Sequence, residues 1–208
     1  MTRPSVTVLD YGAGNLRSVV KAFEHGGAEV RLTSDPVEAR RAERLVLPGQ
    51  GHFGQCMGRL EESGLGDAVR EHVASGRPFF GICVGMELLF EGSEEAPGVP
   101  GLGLLRGSVD RLRTELHLPH MGWNSVDFTS RADGDPVLQG VAGPEPRYFY
   151  HAHSFAVQAP DDGDVLGWCE YGVPFASIVG RGNVWGIQFH PEKSQEDGLR
   201  ILGNFARL

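Results

Sequence analysis

Up to Phe90, the sequence alternates between short apolar runs and stretches with apolar residues at helical spacing. The runs Ser5–Leu9, Arg44–Leu47 and Pro78–Ile82 are nearly all apolar, which is typical of strands covered on both faces. Glu29–Leu32 is a further strand candidate. Strands that alternate with helices form a parallel sheet, so this part predicts an α/β fold with helices on both faces of the sheet. The predicted helices are Leu16–Phe23 with Asn15 as N-cap, Pro36–Arg41, Phe53–Glu62, Leu65–Ser75 and Val84–Phe90.

Beyond Glu91 the pattern changes to a Pro/Gly-rich loop, Glu94–Leu105, followed mostly by strands. Ser194 and Asp197 have the spacing of a capping box that opens a C-terminal helix. No repeat or long linker divides the chain, so we predict a single domain over residues 1–208, with an added antiparallel region in its C-terminal half. The predicted strands of this half are Ser108–Arg113, Ser125–Phe128, Arg147–Val157, Val165–Tyr171, Phe175–Val179 and Val184–Phe189.

Composition excludes several classes of protein. The net charge of −8, from 19 Lys+Arg and 27 Asp+Glu, argues against a nucleic-acid partner. The apolar run Phe79–Cys83 is far shorter than the roughly 20 residues that span a bilayer, and Met1–Pro4 does not open a signal peptide, so no membrane partner is expected. The 3 cysteines are widely spaced and form neither a disulfide framework nor a C-x-x-C metal pair. We therefore expect a protein of the reducing cytoplasm.

The segment Gly81–Gly85 (GICVG) lies between an apolar strand and an apolar helix. It matches the nucleophile elbow, with Cys83 in place of serine. Glycine is needed on both flanks because a Cβ would clash in so tight a turn, and the central residue is held in a strained conformation. A helix N-terminus also lowers the pKa of a thiol. We interpret Cys83 as a nucleophile; a buried structural cysteine between packing glycines is the alternative.

A thiolate nucleophile needs a base, and the base needs an orienting group. Gln188–Glu192 (QFHPE), just past an apolar strand, contains both: His190 as the base and Glu192 as the group that holds its tautomer. Because Pro191 fixes φ, we expect an extended segment with both side chains on one side. The carboxyl ends of neighbouring parallel strands meet at one edge, which brings Cys83, His190 and Glu192 together.

An acyl-transfer site also needs donors for the developing oxyanion. The backbone N–H of Val84, directly after the nucleophile, is one candidate. The second is an amide of Gly49, Gln50 or Gly51, in a glycine-rich loop that can approach a substrate closely or turn a peptide towards it. An ordinary turn at the end of a strand is the alternative interpretation of this loop.

The remaining histidines and cysteines carry weaker signals. Cys56 and Cys169 lack elbow context and are interpreted as packing residues. Gly12–Gly14 precedes a helix but lacks the full dinucleotide-binding glycine pattern. We therefore expect neither a cofactor nor a metal, since no metal-ligand spacing occurs. Of the other histidines, His25, His72 and His117 are expected at the surface or at helix ends, and no role is assigned to His52, His120 or His151.

Gly81–Phe90 and Gly186–Ser194, with Cys83, His190 and Glu192 in them, resemble the class I glutamine amidotransferases. Within that family, four further segments are similar to the glutaminase subunit of imidazole glycerol phosphate synthase. They extend from the first strand towards the last helix, so the resemblance covers nearly the whole chain. The segments are Asp10–Val19 (DYGAGNLRSV), Pro48–Phe53 (PGQGHF), Pro119–Asn124 (PHMGWN) and His153–Phe155 (HSF).

The resemblance implies a flavodoxin-like fold and hydrolysis of L-glutamine to glutamate and ammonia. The ammonia would pass to a cyclase subunit, a (β/α)8 barrel paired with this chain in a heterodimer. That cyclase makes imidazole glycerol phosphate and aminoimidazole carboxamide ribotide in histidine biosynthesis. By the same resemblance, Gly49, Gln50 and Gly51 form the oxyanion strand, and Asn15 and Lys193 lie at the cyclase interface.

The resemblance further implies that position 87 and residues His153, Ser154 and Phe155 hold the amino-acid head of glutamine. Two of these positions depart from the subfamily. Glu87 stands where glutamine is usual, and a carboxylate cannot donate a hydrogen bond to the α-carboxylate of the substrate. Phe155 stands where tyrosine is common, which removes a hydroxyl and keeps the ring.

Three other functions stay open on sequence alone. The chain could serve another synthase as its amidotransferase subunit, although Asp10–Asn15 and Pro119–Asn124 are not shared with those subunits. A free-standing γ-glutamyl peptidase would act without any partner. A catalytically silent binding subunit would only plug a barrel, which the presence of Cys83, His190 and Glu192 argues against.

Overall fold

The computed structural model describes residues 3–158 and 162–208. Met1 and Thr2, which belong to the N-terminal segment considered above, and residues 159–161 of the expected single domain lie outside the described residues. The helices are α1 (Leu16–His25), α2 (Pro36–Arg41), α3 (Phe53–Glu62), α4 (Leu65–Ala74), α5 (Val84–Glu87) and α6 (Gln195–Ala206). The strands are β1 (Ser5–Leu9), β2 (Glu29–Thr33), β3 (Leu45–Gly49), β4 (Phe79–Cys83), β5 (Gly92–Ser93), β6 (Ser108–Arg111), β7 (His120–Phe128), β8 (Arg147–His153), β9 (Phe155–Val157), β10 (Val165–Glu170), β11 (Pro174–Arg181) and β12 (Val184–Ile187).

Five parallel strands form the half of the sheet that carries the site, in the order β2-β1-β3-β4-β12. This is the flavodoxin-like order. Residues of β1, β3, β4 and β12 are almost all buried, whereas β2 at the edge is largely exposed. The predicted α/β class and the parallel half are confirmed. β2 is more exposed than the other parallel strands because it lies at the edge of the sheet and has only one neighbouring strand.

Helices cover both faces of this parallel half. Right-handed crossovers place α1 on one face and α2 and α4 on the other, because the strand order reverses after β2. α6 packs with α1, while α4 packs with α2 and α3. Phe205 of α6 joins the first face to the sheet, with its ring centroid 5.0 Å from that of Phe80 and 6.3 Å from that of Phe23.

The second half extends the sheet in antiparallel fashion through β11, β10, β7 and β8. β9 connects β11 to β6. The predicted antiparallel region is therefore present; most of its strand boundaries shift by one or two residues, and two places differ more. β7 begins at His120 and not at Ser125, and Ser154 interrupts the predicted strand Arg147–Val157 to give β8 and β9. No helix in the described ranges is long and apolar enough to cross a membrane.

Candidate active site

Cys83 lies at the carboxyl end of β4 with φ 55° and ψ −118°, a conformation that residues with a Cβ rarely adopt. The flanking glycines are required by close backbone contacts. A Cβ at Gly81 would stand 2.6 Å from the Gly85 carbonyl oxygen, and a Cβ at Gly85 would overlap the Leu47 carbonyl oxygen. The sharp, strained elbow expected from the sequence is therefore present.

The surroundings of Cys83 differ from the expectation of a lowered thiol pKa. Burial raises the pKa of Cys83, and the nearby Glu87 raises it further, whereas the backbone N–H of Val84 acts in the opposite direction. The predicted helix Val84–Phe90 is a single turn, α5. Cys83 is only 3% exposed, so the loss of hydration of its thiol outweighs the partial charge of so short a helix.

His190 follows β12 and contacts Glu192 directly. Its Nδ1 lies 2.9 Å from Glu192 Oε1, and both side chains are buried. The carboxylate accepts, so Nδ1 carries the proton and Nε2 is free to accept one. Pro191–Lys193 is a 3₁₀ turn and not the extended segment predicted from Pro191, yet the turn still brings the two side chains together.

The register of the sheet brings Cys83 and His190 to the same edge. β4 and β12 are parallel neighbours in which Gly81 pairs with Gly186 and Ile82 with Ile187. The strands thus end side by side, and His190 follows shortly after the end of β12. Among the residues that the structure describes, no hydrogen bond joins the Cys83 thiol to the His190 imidazole.

Ser194 anchors the turn that carries His190. Its hydroxyl donates to the His190 carbonyl at 2.6 Å and accepts from the Tyr150 N–H at 3.0 Å. The His190 N–H in turn donates to the Tyr150 carbonyl at 2.9 Å. The predicted capping box with Asp197 is wrong, because the Ser194 side chain makes no capping hydrogen bond and is used in these contacts instead.

The glycine-rich loop after β3 packs directly against the elbow. Gly49 pairs with Cys83 in the register of β3 and β4. A Cβ at Gly49 would lie 2.8 Å from the Val84 carbonyl carbon and would overlap the Gly85 nitrogen. Gly51 has φ +103°, which only glycine adopts readily. The structure therefore packs Gly49 against the backbone of Val84 and Gly85 at the elbow.

Two side chains that the sequence did not single out for this purpose hold the loop. The Tyr11 hydroxyl donates to the Pro48 carbonyl at 2.8 Å. The Cys56 thiol donates to the Gln50 carbonyl at 3.6 Å. Cys56 is buried, as its interpretation as a packing residue requires, and this contact gives it an additional role.

A cleft of about 350 Å³ opens beside Cys83. Glu87 and residues Ala152, His153, Ser154 and Phe155 line it together with the elbow and the loop, so the structure brings all four residues expected to hold an amino-acid head to the nucleophile. The complete lining consists of Gln50, Gly51, Cys83, Val84, Glu87, Glu95, Arg111, Pro119, Ala152, His153, Ser154 and Phe155.

Glu87 is a buried carboxyl within this cleft. Its Oε1 accepts a hydrogen bond from Gln188 Nε2 at 2.8 Å. Burial raises the pKa of Glu87 to about 8; Glu95 adds to the shift and the Gln188 hydrogen bond opposes it.

Three buried histidines of β7 and β8, His120, His151 and His153, form a row of packed rings beside the cleft, and His120 and His153 are also hydrogen-bonded to each other. His153 Nδ1 donates to the Phe155 carbonyl at 2.8 Å, so its Nε2 accepts from His120 Nδ1 at 3.2 Å. His120 Nε2 accepts from Asn124 Nδ2 at 3.3 Å. Burial lowers the pKa of His120 to about 4 and that of His153 to about 3, and it lowers the pKa of His151 as well. The row is therefore neutral near pH 7.

Two other histidines also have structural roles. His72 lies in the last turn of α4, as expected for a residue at a helix end, but it is fully buried there, with Nε2 3.0 Å from the Pro78 carbonyl oxygen. His52 is the N-cap of α3, where Nδ1 accepts from the Gly54 N–H. Within the described ranges, no group of three potential ligand side chains could hold a metal ion.

Asn15 and Lys193, the two expected interface residues, are exposed near the same edge of the sheet. Asn15 occupies the N-cap position of α1, but its side chain makes no capping hydrogen bond. The Lys193 ammonium lies 5.5 Å from the centroid of the Tyr150 ring. β7 also presents an exposed apolar patch, Met121 and Trp123, at 64% and 47% exposure.

The chain matches known proteins over almost its entire length. Residues 7–207 match the family model described as glutamine amidotransferase class-I. The chain is 47% identical to imidazole glycerol phosphate synthase subunit HisH of Deinococcus radiodurans, covering 98% of this chain and 94% of that protein. It is also 47% identical to the HisH subunit of Dechloromonas aromatica, with 97% and 95% coverage.

Solved structures show the same fold at lower sequence identity. A glutamine amidotransferase crystal structure superposes with a TM-score of 0.76 at 22% identity, covering 98% of this chain and 99% of that one. PurLQS from Thermotoga maritima gives a TM-score of 0.72 at 19% identity, with 99% coverage of both chains. The chain therefore belongs to the class I glutamine amidotransferases and, within them, to the family of imidazole glycerol phosphate synthase subunit HisH.

Proposed function

We propose that this chain, as a single glutamine amidotransferase domain over residues 1–208, hydrolyses L-glutamine to L-glutamate and ammonia with Cys83, His190 and Glu192. The observation that carries the proposal is the strained elbow at Cys83, placed at the sheet edge where the His190–Glu192 pair follows the neighbouring strand. Membership of the HisH family supports delivery of the ammonia to a cyclase that makes imidazole glycerol phosphate and aminoimidazole carboxamide ribotide.

His190 acts as the base. Its Nε2 takes the proton of Cys83, since Nδ1 is occupied by Glu192, and the carboxylate of Glu192 stabilises the resulting imidazolium. The thiolate then attacks the Cδ carbonyl of glutamine. Because the pKa of the thiol is raised, this proton transfer requires His190 Nε2 to lie close to the Cys83 sulfur. A bound substrate that excludes water from the cleft can hold the two groups at that distance.

The backbone N–H of Val84 and an amide of the loop formed by Gly49, Gln50 and Gly51 donate to the oxyanion. As the tetrahedral intermediate collapses, His190 protonates the leaving nitrogen, ammonia departs, and a γ-glutamyl thioester on Cys83 remains. Water, deprotonated by His190, attacks the thioester carbonyl. Glutamate leaves and the thiol regains its proton, which completes the cycle.

The cleft beside Cys83 holds the amino-acid head of glutamine through Glu87 and the backbone of His153, Ser154 and Phe155. This placement is supported by the proximity of all four residues to the nucleophile within one cavity of about 350 Å³.

The cyclase, a (β/α)8 barrel, docks on the apolar patch formed by Met121 and Trp123, with Asn15 and Lys193 at its periphery. Contiguous exposed apolar side chains mark surfaces that bind partners, and Met121 and Trp123 lie two residues apart on β7. A cytoplasmic heterodimer follows, in which the partner supplies the lyase step.

Partner binding also raises the glutaminase rate. A glycine-rich loop can rest with one oxyanion donor turned away, and loss of one donor costs roughly 100- to 1000-fold in rate. The isolated chain is therefore expected to hydrolyse glutamine slowly. A full turnover rate without the cyclase, unchanged on its addition, would contradict this coupling.

A paired assay tests the proposed function. The complex of this chain with the cyclase is supplied with either glutamine or ammonium salts, and wild type is compared with Cys83→Ala. The variant should lose synthesis from glutamine and keep synthesis from ammonium. Retained glutamine-dependent synthesis would overturn the assignment of Cys83.

A further inference from the structure

Glu87 is the acidic residue of α5, the short helix that begins in the elbow, and its environment does not favour a charge. It lies one helical turn after Cys83, at the end of α5, and is 3% exposed. Cys83 and Glu87 line the same cleft of about 350 Å³, so a molecule that fills the cleft lies beside both side chains.

No cation neutralises Glu87. Within residues 3–158 and 162–208 it forms no ion pair, and its hydrogen-bond partner is the neutral amide of Gln188. Arg111 on β6 lines the same cleft but is exposed and does not pair with it. An unpaired carboxylate in a buried site is costly, and such a group takes up a proton instead.

The other titratable groups around Glu87 also disfavour a negative charge there. Glu95, in the loop after β5, lines the cleft with its carboxylate held by the Phe53 N–H at 2.6 Å, and it adds repulsion. Burial raises the pKa of both Cys83 on β4 and Cys56 on α3, so their thiols are neutral near pH 7 and supply no charge that could balance Glu87. His153 on β8 is neutral near pH 7 because burial lowers its pKa to about 3, so it offers no compensating charge.

A neutral carboxyl has the hydrogen-bonding capacity that this position needs. It presents one O–H donor and one carbonyl acceptor, the same pair that a carboxamide presents. Because Gln188 donates to Oε1, the proton resides on Oε2. The O–H can donate to the α-carboxylate of a bound amino acid, which an ionised carboxyl would repel.

We propose that Glu87 binds the amino-acid head of the substrate as a neutral carboxylic acid, so that affinity for glutamine falls when this carboxyl ionises. The inference rests on the proposed function only in taking glutamine as the substrate. It predicts that the contribution of Glu87 to glutamine affinity decreases as the pH rises. The opposite arrangement, an ionised Glu87 paired with the α-ammonium group, would make affinity rise as the carboxyl ionises.

Glutamine binding to the complex with the cyclase separates the two arrangements. The Kd is measured by calorimetry from pH 6.5 to 9.5 in the Cys83→Ala background, which prevents turnover, with and without Glu87→Gln. The α-ammonium group of free glutamine titrates in the same way in both experiments, so it cancels when the two Kd values are compared. The ratio of the Kd of the protein with Glu87 to the Kd of the protein with Glu87→Gln therefore reports on Glu87 alone. With a pKa of about 8 and no binding by the ionised form, this ratio should rise roughly 30-fold by pH 9.5.

A ratio that stays flat or falls with increasing pH would overturn the role of Glu87 while leaving glutamine as the substrate. Absence of glutamine binding by both proteins at every pH would overturn the proposed function and this inference with it. A second measurement needs no substrate. Infrared difference spectra between the two proteins at pH 7 should show the carbonyl band of a protonated carboxyl, and a carboxylate band in its place would contradict the neutral state.

Discussion

At the scale of single residues, the site depends on backbone atoms that only glycine allows to meet. Gly49 is the clearest case, because a Cβ there would lie against the backbone of Val84 and Gly85. We predict that Gly49→Ala displaces the loop from the elbow and lowers the glutaminase rate of the complex roughly 100-fold or more, the cost of one lost oxyanion donor. Gly58→Ala is the matched control: it lies inside α3, has open space around its Cβ position, and should leave activity unchanged. Equal rates for wild type and Gly49→Ala would argue against a role of this loop in catalysis.

At the scale of elements, the two faces of β7 and β8 differ in chemistry. The buried face holds His120, His151 and His153 as neutral rings, and the other face exposes Met121 and Trp123. The folded protein holds His120 and His153 below their ordinary pKa of 6.5, so the unfolded chain binds more protons between about pH 6.5 and pH 3. The free energy of unfolding contributed by these rings therefore falls as the pH drops through that window.

Urea denaturation at pH 7.5, 6.0 and 5.0 measures this dependence. Glu87 acts in the opposite direction, because its raised pKa adds stability as the pH falls below about 8. The comparison that isolates the row is thus wild type against His120→Asn, which removes one titrating ring. The variant should lose less stability than wild type on acidification; an equal or larger loss would contradict a neutral row.

At the scale of the whole molecule, the sheet has two different edges. β2 ends the parallel half, and β8 ends the antiparallel half next to β7 with its exposed Trp123. We predict that Trp123→Ala weakens binding of the cyclase by about 30-fold, as expected for a central aromatic contact, without lowering the melting temperature of the isolated chain. Leu32→Ala on β2, also 47% exposed, is the control and should bind the cyclase normally. A melting temperature lowered by Trp123→Ala with cyclase affinity unchanged would place Trp123 in the fold and not in an interface.

The sequence alone predicts the structure correctly where a local sequence pattern directly reflects a requirement of the backbone. The elbow is an example, since Gly81 and Gly85 are required by contacts within the turn and by the adjacent strand. The central parallel strands β1, β3 and β4 were likewise predictable, because burial on both faces demands continuous apolar runs.

The structure differs from the sequence-based predictions where the environment of a residue is determined by contacts with residues far away in the chain. Ser194 has the sequence of a helix cap, but its hydroxyl bonds to His190 and Tyr150, which come from other elements. His72 does lie at a helix end, but the sequence does not show that it is buried there against the Pro78 carbonyl. The pKa of Cys83 is set by burial and by Glu87, which a rule based on the helix N-terminus does not include.

The most direct test of the nucleophile is covalent labelling of the complex with a glutamine analogue that carries a diazoketone in place of the carboxamide. A proton, which His190 can return from the thiol, is added to the diazo carbon, and the thiolate then displaces nitrogen to leave a stable thioether adduct. Peptide mass spectrometry should find the adduct on Cys83, with complete loss of glutaminase activity, protection by glutamine, and no adduct on Cys56 or Cys169. Inactivation with Cys83 unmodified, or an adduct on either other cysteine that glutamine prevents, would contradict the account.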